Sequence, residues 1–472
     1  HGAPSTGPIL KTYTFDDVVN ALNQVAPYDW RGFWTERLTN HGPGAPLGGI
    51  VVLATVAALV WHLNVQDEPD VSAPVAAGSS IVPSPATVAR GEYLARAGDC
   101  MACHTARAGA ALAGGLALAT PFGTVYTSNL TPDNDTGIGT WSSADFWRAL
   151  HNGRAKDGRL LYPAFPYTNY TKVTREDSDA LYAWLRTLAP VHQPNRPNAL
   201  RWPYNTQTAL AVWRALFFKP GSYVSDPSHT VEWNRGAYLI QGLGHCSACH
   251  ATRNALGATS SALDLAGGLI PLQNWYAPSL ESPLEAGVAD WDIPDIVKLF
   301  KTGTTRHGWV TGPMAEAVLR GTQYLSQDDL VAMAQYLKAL PGDHASAQAS
   351  APRRYPPINT ALTMVGARLY KDNCAQCHGD AGEGVPHAYP ALAGNRTVTM
   401  DSPANLVQMV LYGGFAPATT GNPRPFGMPP FVPVLNDREI AAVLTYIRTA
   451  WGNQAAQVTD VQVGQLRSNT TP

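Results

Sequence analysis

The chain has 472 residues, enough for three or more domains, and its 33 basic and 35 acidic residues leave a formal net charge of -2. This balance gives no indication of a nucleic-acid partner or of a basic patch that binds membranes. Charged residues make up 14% of the chain, against roughly 25% in an average soluble domain. We therefore expect surfaces that pack around large apolar groups or against partner proteins.

Residues 1–44 contain charges, aromatic residues and one amphipathic run, and no function is assigned to them. Thr14 and Asp17 have the spacing of a capping box, in which each residue bonds to the backbone N–H of the other. This pattern predicts that a helix begins after Thr14.

An apolar stretch without Asp, Glu, Lys or Arg runs over residues 45–65. About 20 helical residues span the roughly 30 Å hydrocarbon core of a bilayer. Two arginines precede the stretch, and three acidic residues follow it closely. The sequence thus predicts a transmembrane helix in the cell inner membrane, with the rest of the chain on the periplasmic side. A cleaved signal peptide is the alternative.

All six cysteines of the chain lie in three copies of the pattern Cys-x-x-Cys-His. This pattern attaches a c-type haem, because the thiols bond to the porphyrin and the adjacent imidazole ligates the iron. No cysteine remains for a disulfide, and covalent haem attachment takes place outside the bacterial cytoplasm. The sequence predicts three haem c groups held by the following cysteines and proximal histidines: Cys100, Cys103 and His104; Cys246, Cys249 and His250; Cys374, Cys377 and His378.

Three similar units carry these motifs. Each begins with a short helix holding a glycine and an aromatic residue, and each ends with an amphipathic helix after a cap signal. A small residue on the first helix allows the last helix to cross it closely, an arrangement that resembles the cytochrome c domain. The predicted fold class is therefore mainly α, with three tandem cytochrome c domains after the N-terminal transmembrane helix.

The predicted boundaries follow from these units. The aromatic-rich connecting segment is expected to pack between haem domains or against a partner, and the polar tail is expected to lie on the surface. The divisions are a transmembrane helix at 45–65, linkers at 66–86 and 346–358, cytochrome c domains at 87–193, 232–345 and 359–453, the connecting segment at 194–231 and the tail at 454–472.

The distal ligand of each haem decides its redox role, since a thioether raises the potential and an open position admits small molecules. Met314 and Met428 follow their proximal histidines by 64 and 50 residues, in loops made rigid by Gly and Pro, and are the predicted distal ligands. In the first unit Phe165 stands where the methionine is expected, and Phe cannot ligate iron. The remaining candidates for that haem are an open site or one of His151, His192, His229 and Tyr167.

Longer stretches are typical of one family: Tyr162–Tyr167, Arg235–Cys246, Gln323–Leu330, Pro390–Asn395 and Thr449–Asn453. Through them the chain resembles the triple-haem cytochrome c subunits of membrane-bound periplasmic dehydrogenases. The resemblance implies an electron-transfer subunit rather than the catalytic subunit. Such a subunit takes electrons from a separate catalytic subunit and passes them to ubiquinone or a terminal oxidase.

The resemblance also bears on the catalytic partner, which in this family is a quinoprotein alcohol dehydrogenase, a flavin-dependent sugar or gluconate dehydrogenase, or a molybdenum hydroxylase. Quinoprotein-linked members carry Met where this chain has Phe165. With the stretch Trp213–Gly221, this Phe is more similar to the branch paired with molybdenum hydroxylases that oxidise aldehydes or N-heterocycles. A haem enzyme of the peroxidase type, using an open first haem, and a free-standing carrier are the other interpretations.

Overall fold

The computed structural model describes residues 14–39, 47–65, 83–259, 264–341 and 355–468. The chain forms two compact units, His1–Gln66 and Asp67–Pro472. Most of the two predicted linkers lies outside the described residues, so their predicted bounds stay predictions.

The described residues of the N-terminal unit form the helices α1 (Phe15–Val25), α2 (Trp30–Thr39) and α3 (Leu47–Val65). The predicted capping box is confirmed, because the Thr14 hydroxyl accepts the Asp17 N–H and the Asp17 carboxylate accepts the Thr14 N–H. Val19, Trp30 and Phe33 are buried together between α1 and α2.

Helix α3 covers the stretch predicted to span the membrane. Among the residues whose side chains the structure describes, no helix is long and apolar enough for such a span. On this criterion the predicted transmembrane helix at 45–65 is wrong, and the fold class is corrected to mainly helical with cytochrome c domains.

Where the structure describes it, the larger unit, Asp67–Pro472, is built from short helices with three small antiparallel sheets. Its strands pair in the orders β1-β2-β3, β4-β5 and β6-β7. The helices are α4 (Pro85–Ala97), α5 (Cys100–His104), α6 (Ser143–Asn152), α7 (Tyr167–Tyr170), α8 (Arg175–Leu185), α9 (Gln207–Phe217), α10 (Val231–Gln241), α11 (Ser247–His250), α12 (Ile293–Thr302), α13 (Pro313–Arg320), α14 (Gln327–Lys338), α15 (Thr360–Asn373), α16 (Ala375–His378), α17 (Arg396–Thr399), α18 (Ala404–Tyr412), α19 (Asp437–Thr449) and α20 (Asp460–Ser468). The strands are β1 (Ala117–Thr120), β2 (Gly123–Tyr126), β3 (Ala199–Leu200), β4 (Gly268–Leu269), β5 (Tyr276–Ala277), β6 (Gly414–Phe415) and β7 (Gly427–Met428), and Thr322–Tyr324 form a 3-10 turn.

Three helix pairs repeat along this unit: α4 with α8, α10 with α14, and α15 with α19. At each crossing a glycine of the first helix lies directly against a backbone carbonyl of the last helix, with no room for a Cβ. The glycines are Gly91, Gly236 and Gly366, facing the carbonyls of Ala180, Ala332 and Ala442. The predicted close crossing at a small residue is confirmed.

Each of the three last helices starts at a predicted cap. Thr174, Ser326 and Asn436 accept the backbone N–H three residues later, which satisfies one of the free N–H groups of the first turn. Each helix pair then carries its own hydrophobic cluster, and Tyr93 and Ala97 pack against both the first and the second cluster. The haem motifs therefore sit beside three repeated cores.

The connecting segment, 194–231, and the tail, 454–472, both pack against the cytochrome c units. In the connecting segment, the Arg214 guanidinium lies 5.2 Å from the ring of Tyr167, which belongs to the first cytochrome c unit. Trp213 Nε1 donates to the Leu256 carbonyl in the second unit at 2.9 Å. The segment thus packs between the two, one of the two arrangements expected for it.

The tail, 454–472, was expected on the surface, but its residues Val458 and Val463 belong to the hydrophobic cluster of the third cytochrome c unit. Val458 and Val463 are fully buried there. The Arg467 guanidinium of α20 donates to the Leu435 carbonyl at 2.9 Å. The surface position is wrong for these residues, because the few apolar side chains of a polar segment are enough to dock it.

Candidate haem sites

The three Cys-x-x-Cys-His motifs adopt the same local structure, a short helical turn after the first helix of each repeat. Backbone bonds close the turn, for example His250 N–H to the Cys246 carbonyl and His378 N–H to the Cys374 carbonyl, both at 2.9 Å. The turn places both cysteines of a motif and its histidine on one short segment. This is the arrangement that two thioether bonds and an axial imidazole require.

Each of the three proximal histidines makes the same kind of hydrogen bond, from Nδ1 to a backbone carbonyl. His104 Nδ1 lies 2.7 Å from the Ser128 carbonyl oxygen, and His250 Nδ1 lies 2.7 Å from that of Pro278. The third, His378, makes the same contact with a proline carbonyl at 3.0 Å. Because a carbonyl only accepts, Nδ1 carries the proton and donates, which leaves the Nε2 lone pair available for a metal.

Burial lowers the pKa of all three imidazoles, so each is neutral near pH 7. A neutral imidazole with a fixed tautomer fits the axial ligand of a haem iron. The paired cysteines beside it fit covalent attachment of the porphyrin. The residues present therefore match haem c at each of the three motifs.

The two predicted distal methionines lie against the cores of their own units. Met314 is in the first turn of α13, two residues after Gly312, whose φ of +52° suits glycine. Met428 is the last residue of β7 and pairs with Gly414 of β6. Both side chains are partly buried against the apolar cluster of their unit. Their roles as ligands stay predictions.

Phe165 takes a comparable place in the first unit. Its side chain is partly buried against the first cluster, and its ring lies 5.3 Å from that of Tyr170. The repeat thus places an aromatic ring in the first unit where the other two units place a thioether.

The other candidates for the first haem make contacts of their own. His151 is buried and stacks on Trp147 with ring centroids 4.4 Å apart. His229 stacks on Trp233 at the start of the second unit. His192 is exposed to solvent and lies beside Asp133. Tyr167 is fully buried, and this burial raises the pKa of its phenol to about 12.

Sequence reasoning missed four residues that join the first two units: Tyr93, Asp177, Tyr238 and Asp329. It placed the tyrosines beside the helices of their own unit. The only signal was the pattern Arg-Gly-x-Tyr, which occurs at 90–93 and again at 235–238.

A family model described as cytochrome c matches residues 88–189 and 364–451. These two segments contain the first and third attachment motifs. The match indicates covalently bound haem c, at no fewer than two positions.

Curated relatives match most of the chain. The cytochrome c subunit of alcohol dehydrogenase (quinone) from Gluconacetobacter polyoxogenes is 39% identical over 84% of this chain and 88% of its own length. One of the subunits of nicotinate dehydrogenase from Pseudomonas putida is 40% identical over 89% of this chain, which covers 34% of that longer protein. The gluconate 2-dehydrogenase cytochrome c subunit from Pantoea cypripedii is 39% identical over 82% of this chain and 90% of its own length. The chain belongs to the family of cytochrome c subunits of multi-subunit dehydrogenases, whose role is electron transfer.

Proposed function

We propose that this chain binds three haem c groups and carries electrons from the catalytic subunit of a periplasmic dehydrogenase to ubiquinone or a terminal oxidase. The observation that carries the proposal is the repeated imidazole–carbonyl bond beside every Cys-x-x-Cys motif. Haem, once bound, supplies reversible one-electron chemistry. The chain's own share is to attach the groups, to hold each imidazole in one tautomer, and to supply Met314 and Met428 as distal ligands.

The proposed catalytic partner is a molybdenum hydroxylase that oxidises aldehydes or N-heterocycles. Phe165 in place of a methionine supports this choice, and so does the similarity to a protein of nicotinate dehydrogenase, since nicotinate is an N-heterocycle. A quinoprotein alcohol dehydrogenase or a flavin-dependent sugar dehydrogenase is the alternative, with relatives of nearly equal identity.

The proposed location of the haem domains is the periplasm. Covalent haem attachment takes place there in bacteria, and all six cysteines serve the attachment motifs.

The haem count tests the core of the proposal. A pyridine haemochrome assay on the purified chain is expected to give three haems per chain, and replacing both Cys246 and Cys249 by Ala is expected to lower this to two. The middle motif decides the result, because the family model matches only the other two. Two haems in both proteins would refute the three-haem proposal.

The partner is tested by purifying the tagged chain from its native host and analysing the protein that accompanies it. Molybdenum in the complex supports the hydroxylase, whereas pyrroloquinoline quinone or flavin supports the alternative. Purification without any dehydrogenase would overturn the proposal of a dedicated partner.

A haem enzyme of the peroxidase type is the second candidate, favoured by Phe165 at the place of the distal ligand. In that case the reduced, isolated chain binds carbon monoxide at one haem and turns over peroxide. A spectrum that is fully low-spin and unreactive to both excludes this function.

A further inference from the structure

The first two units each hold an internal ion pair between their first and last helices. Arg90 Nε of α4 donates to Asp177 Oδ1 of α8 at 2.8 Å. Arg235 Nε of α10 donates to Asp329 Oδ1 of α14 at 2.7 Å. Both aspartate side chains are buried, with 2% and 11% of their surface exposed. Arg235 Nη2 also donates to Asp329 Oδ2 at 2.8 Å, and in each pair Oδ2 accepts one further bond.

That further bond comes from the other unit in both cases. The Tyr93 hydroxyl of the first unit donates to Asp329 Oδ2 of the second at 2.6 Å. The Tyr238 hydroxyl of the second unit donates to Asp177 Oδ2 of the first at 2.5 Å. The exchange is reciprocal, as in a two-fold interface between identical subunits, although both halves belong to one chain.

The third unit has a different arrangement. Val365 stands before its helix-crossing glycine, where the first two units have arginine, and Glu439 stands where they have aspartate. The tyrosine of its first helix, Tyr370, donates to the Gly379 carbonyl of its own unit at 2.6 Å. The exchange is therefore a feature of the first two units.

The same interface brings the first two attachment motifs together. The Asn169 amide of the first unit donates to the Ser247 hydroxyl at 2.9 Å, and Ser247 lies between the two cysteines of the second motif. The Tyr170 ring lies 5.6 Å from the ring of His245, the residue before that motif. Leu243 is buried in the first unit's apolar cluster, which also contacts Cys100.

Residues of the second unit likewise lie beside the first attachment motif. The Arg96 guanidinium of the first unit lies 4.7 Å from the Tyr324 ring of the second. A Cβ at Gly321 would lie 3.2 Å from the Arg96 carbonyl and 3.7 Å from Cβ of Asp99, the residue before the first motif. Each motif therefore has residues of the other unit beside it.

We propose that Tyr93 and Tyr238 are positioning residues that hold the first and second haem sites next to each other as a rigid pair, and that electrons pass directly between these two sites. The step is a one-electron exchange in which one site is oxidised and the other is reduced, with no bond formed or broken. The inference rests on the proposed function, because it requires a haem at both motifs. A hydrogen bond to a buried carboxylate is directional, so two of them fix the orientation of the units as well as their contact.

The test uses the full haem-loaded chain with Tyr93→Phe, Tyr238→Phe and the double substitution, each of which removes only a hydroxyl. Two haems held close together give a bisignate couplet in the Soret circular dichroism, whose size depends on their distance and orientation. The couplet is expected to fall at least two-fold in the double variant and by less in each single variant. Tyr370→Phe is the matched control, since its hydroxyl bonds within the third unit, and it is expected to leave the couplet unchanged.

The outcomes separate this inference from the proposed function. A wild-type couplet in a double variant that keeps three haems overturns the positioning role while the haem count stands. If the double variant fails to retain haem, the single variants decide, and an unchanged couplet in both of them overturns it. Fewer than three haems in the unmodified chain counts against the proposed function itself.

Discussion

At the scale of single residues, the haem sites depend on which nitrogen of an imidazole holds its proton. Three carbonyls, those of Ser128, Pro278 and Pro390, perform the same task at three places in the chain. Two of them belong to prolines, whose fixed φ limits the movement of the loop. The predicted difference between the sites is therefore on the distal side, for which the sequence predicts Met314 and Met428 as ligands and has Phe165 at the corresponding place in the first unit.

Replacing Met428 by Leu is expected to lower the midpoint potential of the third haem, because a thioether ligand stabilises the reduced iron. The change should be on the order of 0.1 V, a part of the roughly 0.8 V range that axial ligands span. Potentiometric titration of the purified chain measures it. Met364→Leu is the control, since Met364 is 70% exposed on α15, and unchanged midpoints in the Met428 variant would show that the ligand is another residue.

Replacing Phe165 by Met is expected to give the first haem a thioether and to raise its midpoint potential, again on the order of 0.1 V. Spectroscopic titration should show one midpoint moving while the other two stay. Phe165→Leu keeps an apolar side chain without a ligand, and it should not raise the potential. An equal shift in both variants would mean that packing, rather than ligation, controls this haem.

At the scale of secondary structure, the repeated element is a pair of helices that cross at a glycine. The absence of a side chain allows the helix backbones to touch, and the aromatic residue that follows packs beside the crossing. In the third unit Tyr370, Tyr446 and Trp451 form a cluster with ring centroids 4.9 to 5.5 Å apart. The crossing thus sets the position of the turn that carries the attachment motif.

Gly366→Ala is expected to destabilise the chain, although alanine is the better helix former by about 1 kcal/mol. Its Cβ would collide with the backbone carbonyl of Ala442, which cannot rotate away. Overpacking of this kind costs about 1–3 kcal/mol, so the net effect is a lower melting temperature in a thermal denaturation experiment. Gly308→Ala is the comparison, because its Cβ meets nothing nearer than 3.9 Å, and equal stabilities of the two variants would contradict the steric argument.

At the scale of the whole larger unit, Asp67–Pro472, the three cytochrome c units are joined to one another in two ways. The first and second units exchange tyrosines across a near-symmetric interface. The third unit meets the second through other groups. Asn405 donates to the Tyr276 carbonyl at 2.8 Å and accepts its N–H at 2.9 Å. The Arg396 guanidinium also donates to the Gly287 carbonyl at 2.9 Å. Repeats of one fold therefore need not share one mode of assembly.

The pairing of the first two units is expected to weaken in acid. Burial by itself would raise the pKa of Asp329, but hydrogen bonds from Arg235 and Tyr93, with the nearby charge of Arg90, outweigh it and lower the pKa below the usual 3.8. A lowered pKa in the folded chain means that the ionised carboxylate contributes stability above pH 3.8 and loses it as the pH falls below that value.

Asp329→Asn is therefore expected to cost about 2 kcal/mol near pH 7, the scale of hydrogen bonds to a charged group. The difference from the unmodified chain should shrink as the pH falls below 3.8. Denaturant unfolding at several pH values measures both. Asp372→Asn is the control, since the Asp372 side chain is 58% exposed and surface ion pairs contribute little. A difference that does not vary with pH would rule out this role for the Asp329 charge.

The sequence by itself determined what depends on neighbouring residues: the attachment motifs, the caps of the last helices and the glycines of the crossings. These features are local, so a short pattern carries them. The tertiary structure decided the burial of Val458 and Val463 and the exchange of Tyr93 and Tyr238. The tyrosines and their aspartates are 236 and 61 positions apart in the chain. Contacts over such separations depend on how whole helices pack, and a repeated local pattern such as Arg-Gly-x-Tyr does not determine that packing.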